Sequence, residues 1–191
     1  NNTVNGNTCQ GNYNGIYLNN SNNNNTVTGN TSQGNGWAGI LLNSSSNNNT
    51  VTGNTCQGNI SKGIFLKSSS NNTVTSNTCQ GNGSDGVYIS DSNNNTVSFN
   101  TIVGNSQDSD NTYDGIFIYG NCDYNNIQGN TIRRGTGSNQ QRYGIRINSA
   151  DCDANLVINN DLYQAGKLGD YSDGGTGTVY HNNRTTAGWV P

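Results

Sequence analysis

The sequence predicts an all-β solenoid, wound into coils of about 23 residues with three short strands in each. Three observations carry that expectation. The chain repeats itself: Val4, Val27, Val51, Val74, Val97, Ile127 and Val157 open matching segments at spacings of 23, 24, 23, 23, 30 and 30 residues. Within each segment apolar residues alternate with polar ones, the period of a strand and not of a helix. Finally, 41 Asn and 26 Gly among 191 residues, with one Pro and no Met or Glu, deprive a helix of its good formers and supply turns every few positions.

One repeat reads N-N-T-V-T-G-N-T-C-Q-G-N, a short turn, then G-I-F-L and an Asn/Ser run. In the first strand Val51 stands between Thr50 and Thr52, and in the second Cys56 stands between Thr55 and Gln57. In the third, Ile64 and Leu66 flank Phe65. Side chains two apart share a face, so each coil sends about four inward. Coils stacked in parallel at ~4.8 Å align like residues into columns. Asn7, Asn30, Asn54, Asn77, Asn100, Asn130 and Asn160 form one column at a bend, where each carboxamide can bond those above and below it. Roughly 24 inward side chains at ~2 kcal/mol each give a narrow core without a globular one.

The repeats are expected over residues 1–163. After Leu162 the pattern dissolves, and residues 164–191 are expected to form an irregular C-terminal cap over the last coil. The chain opens in mid-repeat at Asn1, as expected of a piece of a longer protein.

Composition also excludes. Low hydrophobicity, 29%, would suit disorder, but disordered chains are usually rich in charge and Pro, and here charged residues make up 10%. No apolar run reaches the ~18 residues of a membrane span, so no membrane insertion is expected. A net charge of −3 argues against a nucleic-acid partner. Residues 1–61 carry no charge, whereas 17 of the 19 charged residues follow residue 84, so distinctive chemistry is expected in the second half.

The pattern N-x-[IV]-x-x-N-x-[IV]…G-[IV]-x-[LI]-x-x-S-x-N-N resembles the right-handed parallel β-helix repeats of the pectin-lyase-like superfamily. It is similar above all to the NosD-type arrays of secreted and surface proteins. The resemblance implies a right-handed parallel β-helix and a secreted or cell-surface location. That superfamily holds lyases, hydrolases, epimerases, tailspikes, adhesins and scaffolds, so function has to be read from the residues.

Two turns are enlarged, Asn105–Asp114 and Gly135–Tyr143. On consecutive coils they gather Asp108, Asp110, Tyr113, Asp114, Arg133, Arg134, Arg142 and Tyr143 along one edge. Insertions on one face of a solenoid often form its binding surface, and this set would suit a sugar chain, an acidic one being held by the arginines. The alternative is two solvated loops whose charges pair with each other. The Asp-Asp, Gly-His-Gly and Arg/Lys strand motifs that the resemblance would supply to an enzyme do not occur, and His181 lies in the tail. Asp85 and Asp114 share a column one coil apart, which is not read as a tuned pair of acids. No catalytic residue is assigned and the chain is expected not to be an enzyme.

Asp108-Ser-Asp110-Asn resembles the opening of a Ca²⁺ loop without its Gly and closing Glu, so Ca²⁺ is a weak expectation and no metal site is assigned. Cys9, Cys56 and Cys79 fall in an inward column as small apolar fillers. Cys122 and Cys152 share the context Cys-Asp-x-Asn on adjacent coils and are expected to be free thiols. Outward pairs Thr26/Thr28, Thr50/Thr52, Thr73/Thr75 and Thr96/Ser98 make a regular hydroxyl lattice that resembles the Thr-x-Thr face of antifreeze solenoids.

These readings converge on a non-catalytic extracellular structural or adhesion solenoid. It would serve as a rigid surface-layer, stalk or filament module that meets neighbouring subunits or surface glycans. Two alternatives stand beside it: a carbohydrate-binding or carbohydrate-processing β-helix, and an ice-binding face.

Overall fold

The computed structural model describes residues 1–190 as a parallel β-helix. Among them, eight strands from Thr3–Asn5 to Val179–His181 form sheet A and six from Thr8–Gln10 to Thr131–Arg133 form sheet B. Seven strands from Ile16–Asn19 to Gly169–Asp173 form sheet C. Every pairing within these three sheets is parallel and in the register of the repeat, Val27 on Val51 and Ile40 on Ile64. Sequential strands therefore belong to different sheets, and the chain closes one coil before it pairs with itself.

The apolar columns meet on the axis. Val27, Val51, Val74 and Val97 from sheet A face Cys56, Cys79 and Ile102 from sheet B, with Ile64, Leu66, Ile89 and Ile118 from sheet C, all essentially inaccessible to water. The glycine that opens each sheet C strand is required for close approach: a Cβ on Gly63 would lie 2.5 Å from the Gly86 carbonyl oxygen and 3.0 Å from Cys79 Cβ. At the opposite bend the chain turns through the left-handed region at Asn24, Asn48, Asn71 and Asn94, with φ of 56–59°. Asn tolerates that region better than other non-glycine residues, which is one physical source of the composition.

The expected Asn column exists, and two others accompany it. In each, an Asn sits at a bend. Its backbone N–H and Nδ2 both donate to Oδ1 of the Asn one coil on, as from Asn54 to Asn77 at 2.9 and 3.0 Å. The second column runs through Asn25, Asn49, Asn72 and Asn95, and the third through Asn35, Asn59, Asn82 and Asn105, ending on Gln141. A fourth, of hydroxyls, links Ser46 to Ser69 to Ser92. Bends that would strand buried amides are thereby satisfied by their own repeats.

The tail differs from its expectation. Instead of an irregular cap from residue 164, Gly169–Asp173 adds to sheet C beside Tyr143–Ile147, and Val179–His181 adds to sheet A beside Leu156–Ile158. Asn183 also extends the central ladder. The segment completes a further coil, and only the antiparallel hairpin Asn183–Thr185/Gly188–Val190 leaves the pattern. The sequence hid this because Tyr171 and Tyr180, stacked at 3.9 Å between ring centroids, replace the aliphatic residues at the inward positions. All five cysteines are free thiols.

Candidate functional site

The two enlarged turns do lie side by side. Gln107 and Asn139 bond across them, Nε2 to the Asn139 carbonyl at 3.1 Å and Nδ2 to the Gln107 carbonyl at 2.7 Å. The eight residues gathered from the sequence nevertheless divide into three places. Asp110 is on the outer loop, where its carboxylate is ion-paired with Lys167 and accepts from the Gln140 N–H at 3.1 Å. Asp108 and Tyr113 stand on the same loop, and Tyr113 contributes its backbone carbonyl to the Arg142 N–H at 2.7 Å. Arg133 ends the last strand of sheet B and Arg134 follows it, and Arg133 is paired with Asp161 at 2.5 Å. Asp114, Arg142 and Tyr143 turn instead to the outer face of sheet C.

There they join groups that the spacing argument passed over. Asp114 is fully buried, and Arg142 holds it in a fork, Nε to Oδ1 at 3.1 Å and NH2 to Oδ2 at 2.8 Å. Asp85, one coil below and 3% exposed, accepts the Asp114 N–H on Oδ1 at 2.8 Å. Burial pushes the Asp85 carboxyl up from 3.8 to about 7, against the pull of the Asp114 N–H, Lys62 and Arg142. Burial also raises Asp114, Arg142 opposing, and lowers the Lys62 ammonium, with Asp85 opposing. The two carboxyls thus are tuned by their surroundings, contrary to the expectation from spacing alone. A column position one coil apart looks inert in sequence and becomes a coupled site once both groups are buried.

Beside these acids runs a row of aromatic rings. Leu41, Phe65, Tyr88, Phe117 and Arg146 stack in register as the outward residues of successive sheet C strands. With Tyr13 and Trp37 the rings follow one another up the axis to Phe117 at centroid separations of 5.6, 6.0, 4.8 and 5.1 Å, and Tyr119, two residues on in the same strand, lies 5.9 Å beside Phe117. Lys62 Nζ lies 5.6 Å from the Phe65 ring and 5.5 Å from the Tyr88 ring, and Arg146 lies 5.7 Å from Phe117. The signal was present in the sequence: the middle residue of G-[IV]-x-[LI], outward by alternation, is aromatic or long in every coil. Sheet A differs, its outer face carrying Thr26, Thr50, Thr73 and Thr96 in one column and Thr28, Thr52 and Thr75 in another, all in register and without charge.

Two family profiles match the chain. The one described as periplasmic copper-binding protein (NosD) covers residues 1–109, and the one described as right-handed beta helix region covers residues 63–186. No curated protein matches. Among solved structures, the chain is similar to a double mutant of the periplasmic alginate epimerase AlgG, with a TM-score of 0.80 and 18% identity over 96% of this chain and 45% of that one. It is similar to the A-module of the mannuronan C-5 epimerase AlgE4 of Azotobacter vinelandii, with a TM-score of 0.69 and 22% identity over 88% and 46%. It is also similar to tailspike protein 2 of an Escherichia coli bacteriophage, with a TM-score of 0.63 and 17% identity over 76% and 20%. The chain spans less than half the length of each of these proteins.

These comparisons overturn one expectation. The absence of familiar strand motifs had placed the chain outside the enzymes, yet the solved structures sharing its fold include two carbohydrate epimerases and a tailspike with an enzymatically active domain. Missing motifs are a weak guide where a fold hosts many arrangements of catalytic groups. The copper in the NosD description finds no counterpart in the residues. Copper is held by Cys, Met and His, while this chain has one His and no Met, and Cys56, Cys79, Cys122 and Cys152 are buried. Among the described residues no three His, Cys, Asp or Glu side chains converge on a metal position. Both the NosD description and AlgG are periplasmic by name, and among the described residues no helix is long and apolar enough to cross a membrane.

Proposed function

The chain belongs to the right-handed β-helix family, and from that premise we propose that it is a carbohydrate-active β-helix that binds an extended polysaccharide along the outer face of sheet C. The observation that carries this reading is the unbroken row from Tyr13 to Tyr119, with Lys62 and Arg146 over its rings. Sugar rings present apolar C–H faces to aromatic planes and hydroxyls to their rims, and a row rising one coil at a time suits a polymer with a short repeat. The cations favour an acidic polymer over a neutral one. Carbohydrate processing on this face would rest on Asp85, the acid that retains a proton near neutral pH, with the Asp114–Arg142 pair beside it. The location is secreted or cell-surface, and the partners are glycans.

The test is affinity electrophoresis of the protein against a panel of neutral and acidic polysaccharides. The combined change Tyr88→Ala, Phe117→Ala is expected to weaken retention at least about tenfold, each ring contributing ~1 kcal/mol. Thr50→Tyr on sheet A is expected to leave it unchanged. Equal retention of all three proteins would refute the assignment of the face.

A further inference from the structure

We propose that the edge where sheet B turns toward sheet C carries a second site, which binds an anionic sugar through Arg134. Three surface cavities open along this edge. The largest, about 480 Å³, is lined by residues including Gln80, Gln107, Arg133, Arg134 and Gln164. Its neighbour, about 260 Å³, shares Arg134 and Gln164 as a common wall. The third, about 250 Å³, lies nearer the start of the chain between Gln10, Gln33 and Gln57. Gln10, Gln33, Gln57 and Gln80 stack in register as outward residues of successive strands, so a line of carboxamides leads along the edge into the largest cavity.

The charge at its end is uncommitted. Arg133 and Arg184 share Asp161, Arg142 holds Asp114 and Lys167 holds Asp110. Asp170, which lines the smaller cavity, is turned onto the N–H groups of Ala165 and Thr186 at 2.9 and 2.6 Å. Arg134 donates its backbone N–H to the Gln164 carbonyl at 3.1 Å, and among the described residues its guanidinium has no hydrogen-bond or ion-pair partner. An unpartnered guanidinium from a half-buried residue that lines two cavities is a receptor for an oxyanion, which it can take in a fork of two hydrogen bonds.

The surrounding walls select a polyhydroxylated body behind that anion. Gln80 and Gln164 each offer a carboxamide with donor and acceptor, which can bond a hydroxyl in either sense. No aromatic ring lines the largest cavity. Its back is glycine: Gly104 and Gly135 both have positive φ, and a Cβ on Gly135 would meet Gly104 Cα at 2.7 Å, so no side chain can fill the space. Gln164, which lines both cavities, is itself held at φ 54°, a left-handed conformation that costs free energy. A volume near 480 Å³ falls in the range of small-molecule sites. The oxyanion could be a carboxylate or a sulfate ester, since both match the guanidinium.

The site lies on a different edge from the aromatic row and does not depend on it. Calorimetric titration of the protein with trimers of glucuronate, of 6-sulfated glucose and of glucose tests it. At least one acidic trimer is expected to bind about tenfold more tightly than the neutral one, and the better of the two identifies the oxyanion. Tyr88→Ala, Phe117→Ala, which disables the sheet C face, is expected to preserve that preference. Adding Arg134→Gln, at a surface position outside the core, to that double variant is expected to erase it. Unchanged preference on adding Arg134→Gln to the double variant, or no binding of either acidic trimer below about 10 mM, would overturn the proposal.

Discussion

Sheets A and C are built by one rule on the inside and by different rules on the outside. Inward, both place a β-branched or leucine side chain in every coil before the last, where Tyr171 and Tyr180 stand instead, packed against the same axis. Outward, sheet A repeats Thr with no charge over the coils from Thr26 to Thr96, while sheet C changes from Leu41 to Phe65, Tyr88, Phe117 and Arg146. A solenoid constrains only the face that its neighbours bury. The other face can drift or be selected, and a column that varies among aromatic and long side chains is the one to which the proposed function assigns the ligand. The same holds for the bends, where the Asn columns are uniform and the turn carrying Asp85 and Asp114 is not.

Changes on the shared, inward rule should have the largest effect and should be indifferent to the sheet. Asn77 donates from Nδ2 to the carbonyls of Val51 and Thr75 and to Asn100 Oδ1, and accepts the Asn54 N–H. Asn77→Ala leaves several buried groups unpaired and is expected to cost about 3–5 kcal/mol, read by chemical denaturation. Next is the pair peculiar to the sheet C side. Arg142→Ala strips the buried Asp114 carboxylate of its partner and is expected to cost about 2–4 kcal/mol above neutral pH, with less lost in acid, where Asp114 can take a proton.

Asp85 supplies the third contrast, in pH. Its carboxyl titrates at about 7 in the folded chain and near 3.8 when unfolded, with Lys62, Asp114 and Arg142 as its charged neighbours. Between those values the folded chain holds a proton that the unfolded chain has released, so stability falls as pH rises through this window. Asp85→Asn keeps the acceptor for the Asp114 N–H and removes the ionisation. It is expected to flatten that slope and to gain about 1–3 kcal/mol at pH 8, measured by thermal unfolding across pH. The smallest effect is expected on sheet A, where Thr73→Ser should change stability by less than about 0.5 kcal/mol and leave polysaccharide retention as it was.

How far sequence reading reached follows the same division. The coil, its three strands, the register and the central Asn column were legible because each repeats a residue type at a fixed position, and repetition survives inspection by eye. The column through Asn25, Asn49, Asn72 and Asn95 was equally present but lay within Asn/Ser runs, where no single position stands out, and the one through Asn35, Asn59 and Asn82 repeats in Gln-Gly-Asn, where it reads as part of a turn. The continuation of the helix through Tyr171 and Tyr180 was hidden by two aromatic residues in aliphatic positions. The site was legible only in parts. Enlarged turns mark an edge, but which face a loop residue reaches depends on the bend, and Asp114 and Arg142 turn away from Arg133 and Arg134. The raised pKa of Asp85 is a property of burial, which no spacing of charged letters reports.

The carboxamide columns also give the molecule an electrical direction. In all three, the backbone N–H of one coil points at the Oδ1 of the next coil along the chain, never the reverse. Each carboxamide therefore has its oxygen toward the earlier coil and donates from Nδ2 to the oxygen of the later one, and bonds in such a series polarise one another. Summed over the described coils, these columns contribute a dipole that is negative toward the early turns and positive toward the late ones, while the formal charges, net −3 and all after residue 61, weight the late turns in the opposite sense. The early coils, which hold no charged side chain, thus carry an axial polarity of their own with no ionised group taking part.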